Sequence, residues 1–189
     1  MVKYHELGSC YLQSVGFRDA AAAERRYVSA TTPPLPMEMV ILVGLQASGK
    51  STFRRHRFDA THVVVSKDNF RGNRRPARRQ EHLIREALQA GKPVVVDNTN
   101  PRREDRETLI RLAREFSVRA IGYFLRSNFE EALARNARRE GVARIPDVGV
   151  YSTAKALVVP FLSEGFDELY EVVFTAPHDF AVRRMEAAT

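Results

Sequence analysis

Residues 39–52 decide the fold, and they read Met39-Val40-Ile41-Leu42-Val43-Gly44-Leu45-Gln46-Ala47-Ser48-Gly49-Lys50-Ser51-Thr52. The first five residues are apolar and have the length of a buried strand. Gly44 follows, and after four more residues comes Gly49-Lys50-Ser51, where the pattern changes to that of a helix. A strand before the loop and a helix after it are the context that the G-x-x-x-x-G-K-[ST] motif requires. The sequence therefore predicts a loop that binds phosphate.

The spacing of the motif follows from the way a backbone surrounds a phosphate. Gly44 and Gly49 permit torsions and a close approach that a Cβ would prevent. The helix directs its partial positive end at the same anion. Lys50 is predicted to reach the β- and γ-phosphates of ATP, and the Ser51 hydroxyl is predicted to coordinate Mg²⁺. The predicted ATP-binding residues of this segment are Gly44, Leu45, Gln46, Ala47, Ser48, Gly49, Lys50, Ser51 and Thr52.

Length and composition predict a single intracellular α/β domain. The chain has 189 residues, which is enough for one domain with a sizeable core. No apolar run approaches the roughly 18 residues of a membrane span, and no signal peptide pattern opens the chain. The one cysteine, Cys10, cannot form an intramolecular disulfide, so we expect a reducing cytoplasm. The net charge of +7 favours a polyanionic partner.

Three segments are expected along the chain. Residues 1–36 end in the linker Thr31-Thr32-Pro33-Pro34-Leu35-Pro36 and are interpreted as a weakly ordered extension, with a docking arm as the alternative. Residues 37–176 contain the strands and helices of the domain. Residues 177–189 form a weakly specified tail.

The second strand, His62–Val65, is followed by charged residues that suit an acceptor site. Ligands of open parallel sheets lie beyond the carboxyl ends of the strands. Asp68 is placed there to take a proton from an attacking hydroxyl, and Arg71 to hold an acceptor phosphate. The alternative is a helix cap with a surface arginine. Arg74 belongs to a run of five arginines in residues 71–79, which either contacts a nucleic acid backbone or is merely solvated.

The third strand ends in Asp97, a position that suits a carboxylate holding Mg²⁺ or its waters. Asn98, Thr99 and Asn100 follow. They either orient phosphate and acceptor or form a turn before the helix at Pro101–Phe116. The interleaved charges of that helix, Arg106 among them, indicate ordinary pairing on a solvated face.

A predicted helix from Asn128 to Glu140 precedes a second candidate site. Arg135 and Arg139 are one turn apart on one face, directly before a loop that contains Gly141. This arrangement suits a lid with an arginine that reaches the nucleotide, although arginine at a helix end also has a plain electrostatic role.

Four segments together resemble, in order and spacing, the 5′-kinase domain of polynucleotide kinases of the phage and metazoan repair type. They are GLQASGKST, SKDNFR, DNTNP and RNARREGVARIP, within about Met39 to Phe174. The resemblance implies a three-layer α/β P-loop kinase fold with a mostly parallel five-stranded sheet, in the order 2-3-1-4-5, and a helical lid.

The same resemblance implies a role for each matching residue. Lys50 and Ser51 would hold ATP and Mg²⁺, Asp68 would activate the 5′-hydroxyl, and Arg71 would hold the acceptor phosphate beside it. Asp97 would support the site, and Arg139 with Arg135 would clamp the donor phosphates. The sequence departs from the family at Gln46-Ala47, where the family often has Pro-Gly, and at the extra residue Glu140.

These patterns predict an ATP-dependent kinase with Asp68, Lys50 and Arg139 as its catalytic residues. The favoured acceptor is a polynucleotide 5′-hydroxyl, of DNA or of RNA. One alternative is a kinase for a small metabolite or nucleotide sugar, which would use the same phosphate loop. Another is an ATP-dependent nucleic-acid-binding module with little turnover.

Overall fold

The fold is built on one six-stranded sheet in a computed structural model that describes residues 36–70, 72–176 and 179–186. In chain order the strands are β1 (Glu38–Val43), β2 (Val63–Val65), β3 (Val94–Val96), β4 (Arg119–Arg126), β5 (Glu168–Ala176) and β6 (Asp179–Arg184). Their order across the sheet is β2-β3-β1-β4-β5-β6. The first five are parallel, and β6 is antiparallel to β5.

After Glu38, every position of the central strand β1 is apolar because helices cover both faces of the sheet. Successive residues of β1 point to opposite faces. Met39, Ile41 and Val43 belong to one core cluster, and Val40 and Leu42 belong to another. All five side chains have no exposed surface. The apolar run that opens the phosphate-binding motif is thus the centre of the molecule.

Five α-helices surround the sheet in the described residues. They are α1 (Lys50–Arg57), α2 (Pro76–Gln89), α3 (Arg103–Glu115), α4 (Phe129–Ala137) and α5 (Asp147–Ala156). Short 3₁₀ helices lie at Lys67–Phe70, Gly141–Ala143 and Leu162–Glu164. Helices α2 and α3 contribute to one core cluster, and α1 contributes Phe53 to the other. This three-layer arrangement confirms the predicted α/β fold and the predicted order of the first five strands.

A sixth strand is the main difference from the predicted sheet. The sequence predicts only a weakly specified tail at residues 177–189, but residues 179–184 pair with β5. The ring of Phe180 packs against Phe53 and Phe174, with centroid distances of 5.3 and 5.4 Å. A Cβ built on Gly49 would lie 3.4 Å from the same ring. Strand β6 therefore reaches the phosphate loop, a contact between segments far apart in sequence.

Arg106 of α3 corrects a second expectation, because it lies inside the protein and not on a solvated face. Its side chain has no exposed surface. Nε and Nη2 each donate to a carboxylate oxygen of Glu164 at 2.7 Å. Nη1 lies 3.0–3.2 Å from the carbonyl oxygens of Asn100, Pro101 and Val158. Arg106 therefore ties the loop after β3 to the segments that follow α5.

Some predictions fall on residues that are not described. The extension at residues 1–36 lies outside the described residues except for Pro36, and so does the predicted acceptor residue Arg71. Among the helices that the structure describes, none combines the length and the apolar character needed to cross a membrane.

Candidate active site

The loop between β1 and α1 has the backbone shape that its glycines predict. Gly44 has φ 147° and its N–H donates to the carbonyl of Thr99 at 3.0 Å. A Cβ at Gly44 would lie 2.8 Å from the carbonyl oxygen of Leu125, so a larger residue would displace backbone. Ala47 has φ 59°, a left-handed conformation that disfavours an L-residue by roughly 1–2 kcal/mol. Gly49, with φ 96°, then directs the chain into α1.

Lys50 is folded into this loop. Its Nζ donates to the carbonyl oxygens of Gly44, at 3.0 Å, and of Leu45, and lies 3.4 Å from Ser48 Oγ. Burial lowers the pKa of Lys50 to about 8, with a smaller lowering by Arg139 and opposing contributions from Asp97 and Asp68. The ammonium group therefore lies among the loop atoms that would surround a phosphate.

One cavity of about 670 Å³ adjoins the loop. Three parts of the chain form its walls: the loop with the start of α1, the ends of β2 and β3, and the segment after α4. From the predicted set, its lining includes Gln46, Ala47, Gly49, Lys50, Ser51, Thr52, Asp68, Asp97, Asn98, Thr99, Asn100 and Arg139. The carboxyl edge of the sheet thus brings most of the predicted residues together.

Asp68 and Asp97 differ in their surroundings. Asp68 lies exposed in the 3₁₀ helix after β2, and its N–H donates to Ser66 Oγ at 3.3 Å. Asp97 is buried, and its Oδ2 lies 3.0 Å from Arg54 Nε, without hydrogen-bond geometry. Ser66 Oγ donates to the carbonyl of Asp97 at 2.8 Å. That hydrogen bond joins the ends of β2 and β3, so it fixes the segments that carry the two carboxylates relative to each other.

The amides after β3 hold the loop in place. Asn98 Oδ1 accepts from Lys67 N at 2.9 Å, and Asn98 Nδ2 donates to Gln80 Oε1 at 2.6 Å. Asn100 Nδ2 donates to the carbonyl of Leu42 at 2.7 Å, and Asn100 has φ 42°. These hydrogen bonds join the segment after β3 to the segment after β2, to α2 and to β1, and none of the three is the local bond of the turn that the sequence offered as the alternative. Acceptor binding by Asn98, Thr99 and Asn100 stays a prediction.

The lid segment differs from the prediction in where its helix ends. Helix α4 ends at Ala137, three residues before the predicted Glu140, so Arg139 lies beyond the helix. Arg135 Nε donates to the carbonyl of Ala47 at 2.9 Å and therefore contacts the phosphate loop directly. Arg139 lines the cavity and is exposed; its one described hydrogen bond, to the Ala143 carbonyl, is 3.5 Å long.

Sequence reasoning missed several residues of this site. Asn136 is fully buried and bonds both the carbonyl and the N–H of Ile145, at 2.7 and 3.1 Å, which closes the loop that carries Arg139. Gln46 was predicted, but its partner Thr153 of α5 was not; Thr153 Oγ1 accepts from Gln46 Nε2 at 2.7 Å. Neither contact has a local signal, because each joins segments that come together only in the fold. The cavity lining also includes Arg55, Lys67, Pro101, Asp105, Ala143 and Ile145. Arg74 is exposed outside the lining.

Comparison with known families decides the classification. The model of the family described as AAA domain matches residues 39–155, which is more than half of the chain. The chain belongs to this AAA domain family. The matched residues run from β1 into α5, so they include the phosphate loop, both carboxylates and the lid segment.

Proteins similar to this AAA domain include kinases. The bifunctional polynucleotide phosphatase/kinase of Schizosaccharomyces pombe is 32% identical over 149 residues, which are 76% of this chain and 35% of that protein. A protein of Acanthamoeba polyphaga mimivirus is 30% identical over 148 residues, 75% of this chain and 34% of its own length. The chain thus spans about a third of the length of these curated relatives.

Solved structures confirm the P-loop kinase fold of the AAA domain. A gluconokinase from Sinorhizobium meliloti 1021 superimposes with a TM-score of 0.56 at 20% identity, over 76% of this chain and 85% of that chain. At this identity the likeness concerns the fold alone.

The AAA domain offers oxygen ligands that fit Mg²⁺ bound with a nucleotide. Ser51 and Asp97 line the same cavity, and hydroxyl and carboxylate oxygens are ligands that Mg²⁺ prefers. No group of three or more His, Cys, Asp or Glu side chains suited to a metal occurs in the described part of the chain. Mg²⁺ usually needs only one or two protein ligands, since substrate phosphates and water supply the others.

Proposed function

We propose that this AAA domain is an ATP-dependent kinase that transfers the γ-phosphoryl group of ATP to the 5′-hydroxyl of a polynucleotide. The observation that carries the proposal is that the phosphate loop and Asp68 line the same cavity. A phosphoryl donor and a hydroxyl acceptor have to meet in one space, because the reaction is an in-line displacement.

The loop side of the cavity provides the groups that bind the donor. Backbone N–H groups at the start of α1 would face the phosphates, and Lys50 would exchange its loop carbonyls for phosphate oxygens. Ser51 and Asp97 would hold Mg²⁺, which supplies charge neutralisation at the phosphates when it is bound. Arg139 would contact the transferring group from the wall formed by the segment after α4.

The wall formed by the ends of β2 and β3 provides the base. Asp68 would accept the proton of the attacking hydroxyl as the new O–P bond forms. The bond between the γ-phosphorus and the bridging oxygen breaks, and ADP leaves with the electron pair. Asp68 suits this role because it is exposed at the cavity, whereas Asp97 is buried beside Arg54.

Two observations favour a polynucleotide as the acceptor. The relative from Schizosaccharomyces pombe carries the name of a polynucleotide phosphatase/kinase. Arginines at the start of α2 are exposed and can neutralise phosphates along a strand without reading its bases; they are Arg74, Arg75, Arg78 and Arg79. Arg71 would hold the phosphate next to the reacting hydroxyl, and this assignment rests on the sequence alone.

An acceptor panel tests the proposal. Labelled phosphate from γ-labelled ATP should transfer to 5′-hydroxyl oligonucleotides of DNA or RNA, and not to free sugars. Labelling only of sugars or nucleosides would favour the small-metabolite kinase. ATP binding without acceptor-dependent release of ADP would favour the nucleic-acid-binding module.

Salt dependence tests the strand contacts separately. Replacing Arg74 and Arg78 with Gln should flatten the log–log dependence of acceptor KM on salt by about 1.4 for a long single strand, at about 0.7 per lost phosphate contact. Replacing the exposed pair Arg103 and Arg111 serves as the matched control and should leave the slope unchanged. An equal slope in both variants and the wild type would contradict a strand path over α2.

We further propose bounds for the kinase domain and a cellular location for the protein. Residues 37–176 would constitute the kinase domain, residues 1–36 an extension, and residues 177–189 a segment that contributes β6. A reducing cytoplasm is the proposed location, because the sequence has a single cysteine. Fractionation of cells that produce the full chain tests this location.

A further inference from the structure

Gln46 is held in one orientation by a helix far along the chain. Its Nε2 lies 2.7 Å from Thr153 Oγ1, and Thr153 Oγ1 itself donates to the carbonyl of Gly149 at 2.9 Å. A hydroxyl has only one hydrogen to donate. Because Thr153 uses it on Gly149, the hydroxyl can only accept from Gln46, and the amide nitrogen of Gln46 has to face it. The partner of the amide nitrogen therefore fixes which end of the amide is the oxygen.

The other end of the same amide has no partner. Gln46 Oε1 is buried and receives no hydrogen bond from the described part of the chain. Buried acceptors are nearly always satisfied in native proteins, so an exception calls for a partner that arrives in another state. Gln46 also lines the proposed phosphoryl-transfer cavity. The missing partner should thus be a hydrogen-bond donor that enters or moves within this cavity.

Few donors meet this requirement. The phosphate oxygens of ATP accept hydrogen bonds, and the reacting hydroxyl has its single proton directed to Asp68 in the proposed reaction. Lys50 would donate to phosphate oxygens in the proposed reaction, and Arg55 already donates to Thr52 Oγ1 at 3.3 Å. Arg139 remains. It lines the cavity, and its one described hydrogen bond is 3.5 Å long. It also lies near enough to the loop to lower the pKa of Lys50.

We propose that Gln46 Oε1 accepts a hydrogen bond from the Arg139 guanidinium when nucleotide is bound, and that Thr153 holds the Gln46 amide ready for it. Gln46 and Thr153 are then positioning residues for the arginine that contacts the transferring phosphoryl group. An arginine has five N–H donors in a planar fork, so it can bond Gln46 and a phosphate oxygen together. This inference rests on the proposed kinase function.

A double-mutant cycle on kcat tests the pair. Gln46→Met removes the acceptor at similar size and should lower kcat roughly 10- to 100-fold, the range for a hydrogen bond to a charged group, with acceptor KM unchanged. In an Arg139→Ala background, Gln46→Met should have no further effect. Thr153→Val should also lower kcat, whereas Thr153→Ser, which keeps the hydroxyl, should retain the wild-type kcat. A loss from Gln46→Met that persists in the Arg139→Ala background overturns the proposal.

Matched controls separate this role from general damage. Thr108 makes the same bond to the carbonyl four residues earlier, at 3.3 Å, but in α3, so Thr108→Val should leave kcat unchanged. Gln89→Met changes an exposed glutamine of α2 and should also be neutral. If Gln46→Met instead raises acceptor KM or alters the Mg²⁺ requirement, the partner is the acceptor or a metal-bound water, and the assignment to Arg139 fails.

The same variants distinguish this inference from the proposed function. If the wild type phosphorylates no acceptor in the panel, the proposed function fails, and the cycle is then measured on equilibrium affinity for ATP. Coupling between Gln46 and Arg139 in that affinity would support the contact without the reaction. Additive effects on affinity would overturn it. An active wild type with additive effects on kcat would overturn the inference alone.

Discussion

Lys50 shows how one buried charge makes stability depend on pH. The residue is 8% exposed and its amine has loop carbonyls as partners, so burial lowers its pKa from 10.5 to about 8. Between these values the unfolded chain binds more protons at this position than the folded chain. Stability therefore rises with pH through this window.

The first prediction uses this window. From about pH 7.5 to about pH 10, the unfolding free energy of the wild type should rise relative to that of Lys50→Met by about 2 kcal/mol. Lys155→Met changes an exposed lysine and should show no such trend relative to the wild type. Urea titrations of the ligand-free protein measure the difference. A constant difference across the range would show that the lysine is solvated in solution.

Asp68 carries the second prediction at the scale of a residue. Asp68→Asn keeps the shape but cannot take a proton, so kcat should fall roughly 10²- to 10⁴-fold with ATP affinity nearly unchanged. Asp105 lines the same cavity and caps α3 by accepting from Arg102 N at 3.1 Å. Asp105→Asn is therefore the control and should retain most activity. Equal losses at both positions would remove the assignment of the base to Asp68.

At the scale of elements, the end of α4 determines which arginine reaches the cavity. Arg138 caps the helix and is exposed outside the cavity lining, and Arg139 follows it into the cavity. Asn136 fixes this exit by bonding Ile145 through both ends of its amide. The short loop from Arg138 to Arg144 is thus held at its base, with Arg139 on the nucleotide side.

The third prediction compares these neighbours. Arg139→Ala should lower the rate at saturating substrates by an amount approaching the roughly 10³–10⁵ found for arginine fingers, because it removes charge from the transferring group. Arg138→Ala should have little effect. Single-turnover transfer to a 5′-hydroxyl oligonucleotide measures both variants. A similar loss at Arg138 would contradict the geometry of the exit from α4.

The fourth prediction concerns the link between α3 and the 3₁₀ helix Leu162–Glu164. Arg106 and Glu164 form a pair with 0% and 5% side-chain exposure, so Arg106→Met leaves a buried carboxylate alone and should lower stability by about 3–5 kcal/mol. Arg114 and Asp167 form a comparable pair at 52% and 31% exposure, and Arg114→Met should lower stability by at most about 1 kcal/mol. Chemical denaturation measures both losses. Comparable small losses would mean that the Arg106 pair is hydrated.

For the molecule as a whole, the sequence predicts those features of the fold and the site that depend on residues close together in the chain. The apolar run before Gly44 predicts the central strand. Asp68 and Asp97 each follow a strand, so their position at the same edge of the sheet can be derived from the sequence. The burial of Arg106 cannot be derived from the sequence, because its partner Glu164 is 58 positions away and its neighbours in sequence are solvated. Strand β6 was not predicted because Phe180 and Val182 are too few apolar residues to indicate a strand. The Gln46–Thr153 contact likewise depends on where the fold places α5.

The packing of Phe180 on Phe53 and beside Gly49 bears on how the chain is synthesised. Translation proceeds at about 5–20 residues per second, so Phe180 is made on the order of 10 s after Gly49. During that interval the phosphate loop and α1 emerge without the ring that later covers them. The nascent chain therefore exposes the aromatic ring of Phe53 next to the phosphate loop. A chaperone that binds exposed aromatic segments should associate with ribosome-bound chains arrested before residue 179, and it should not bind finished chains in which β6 has paired.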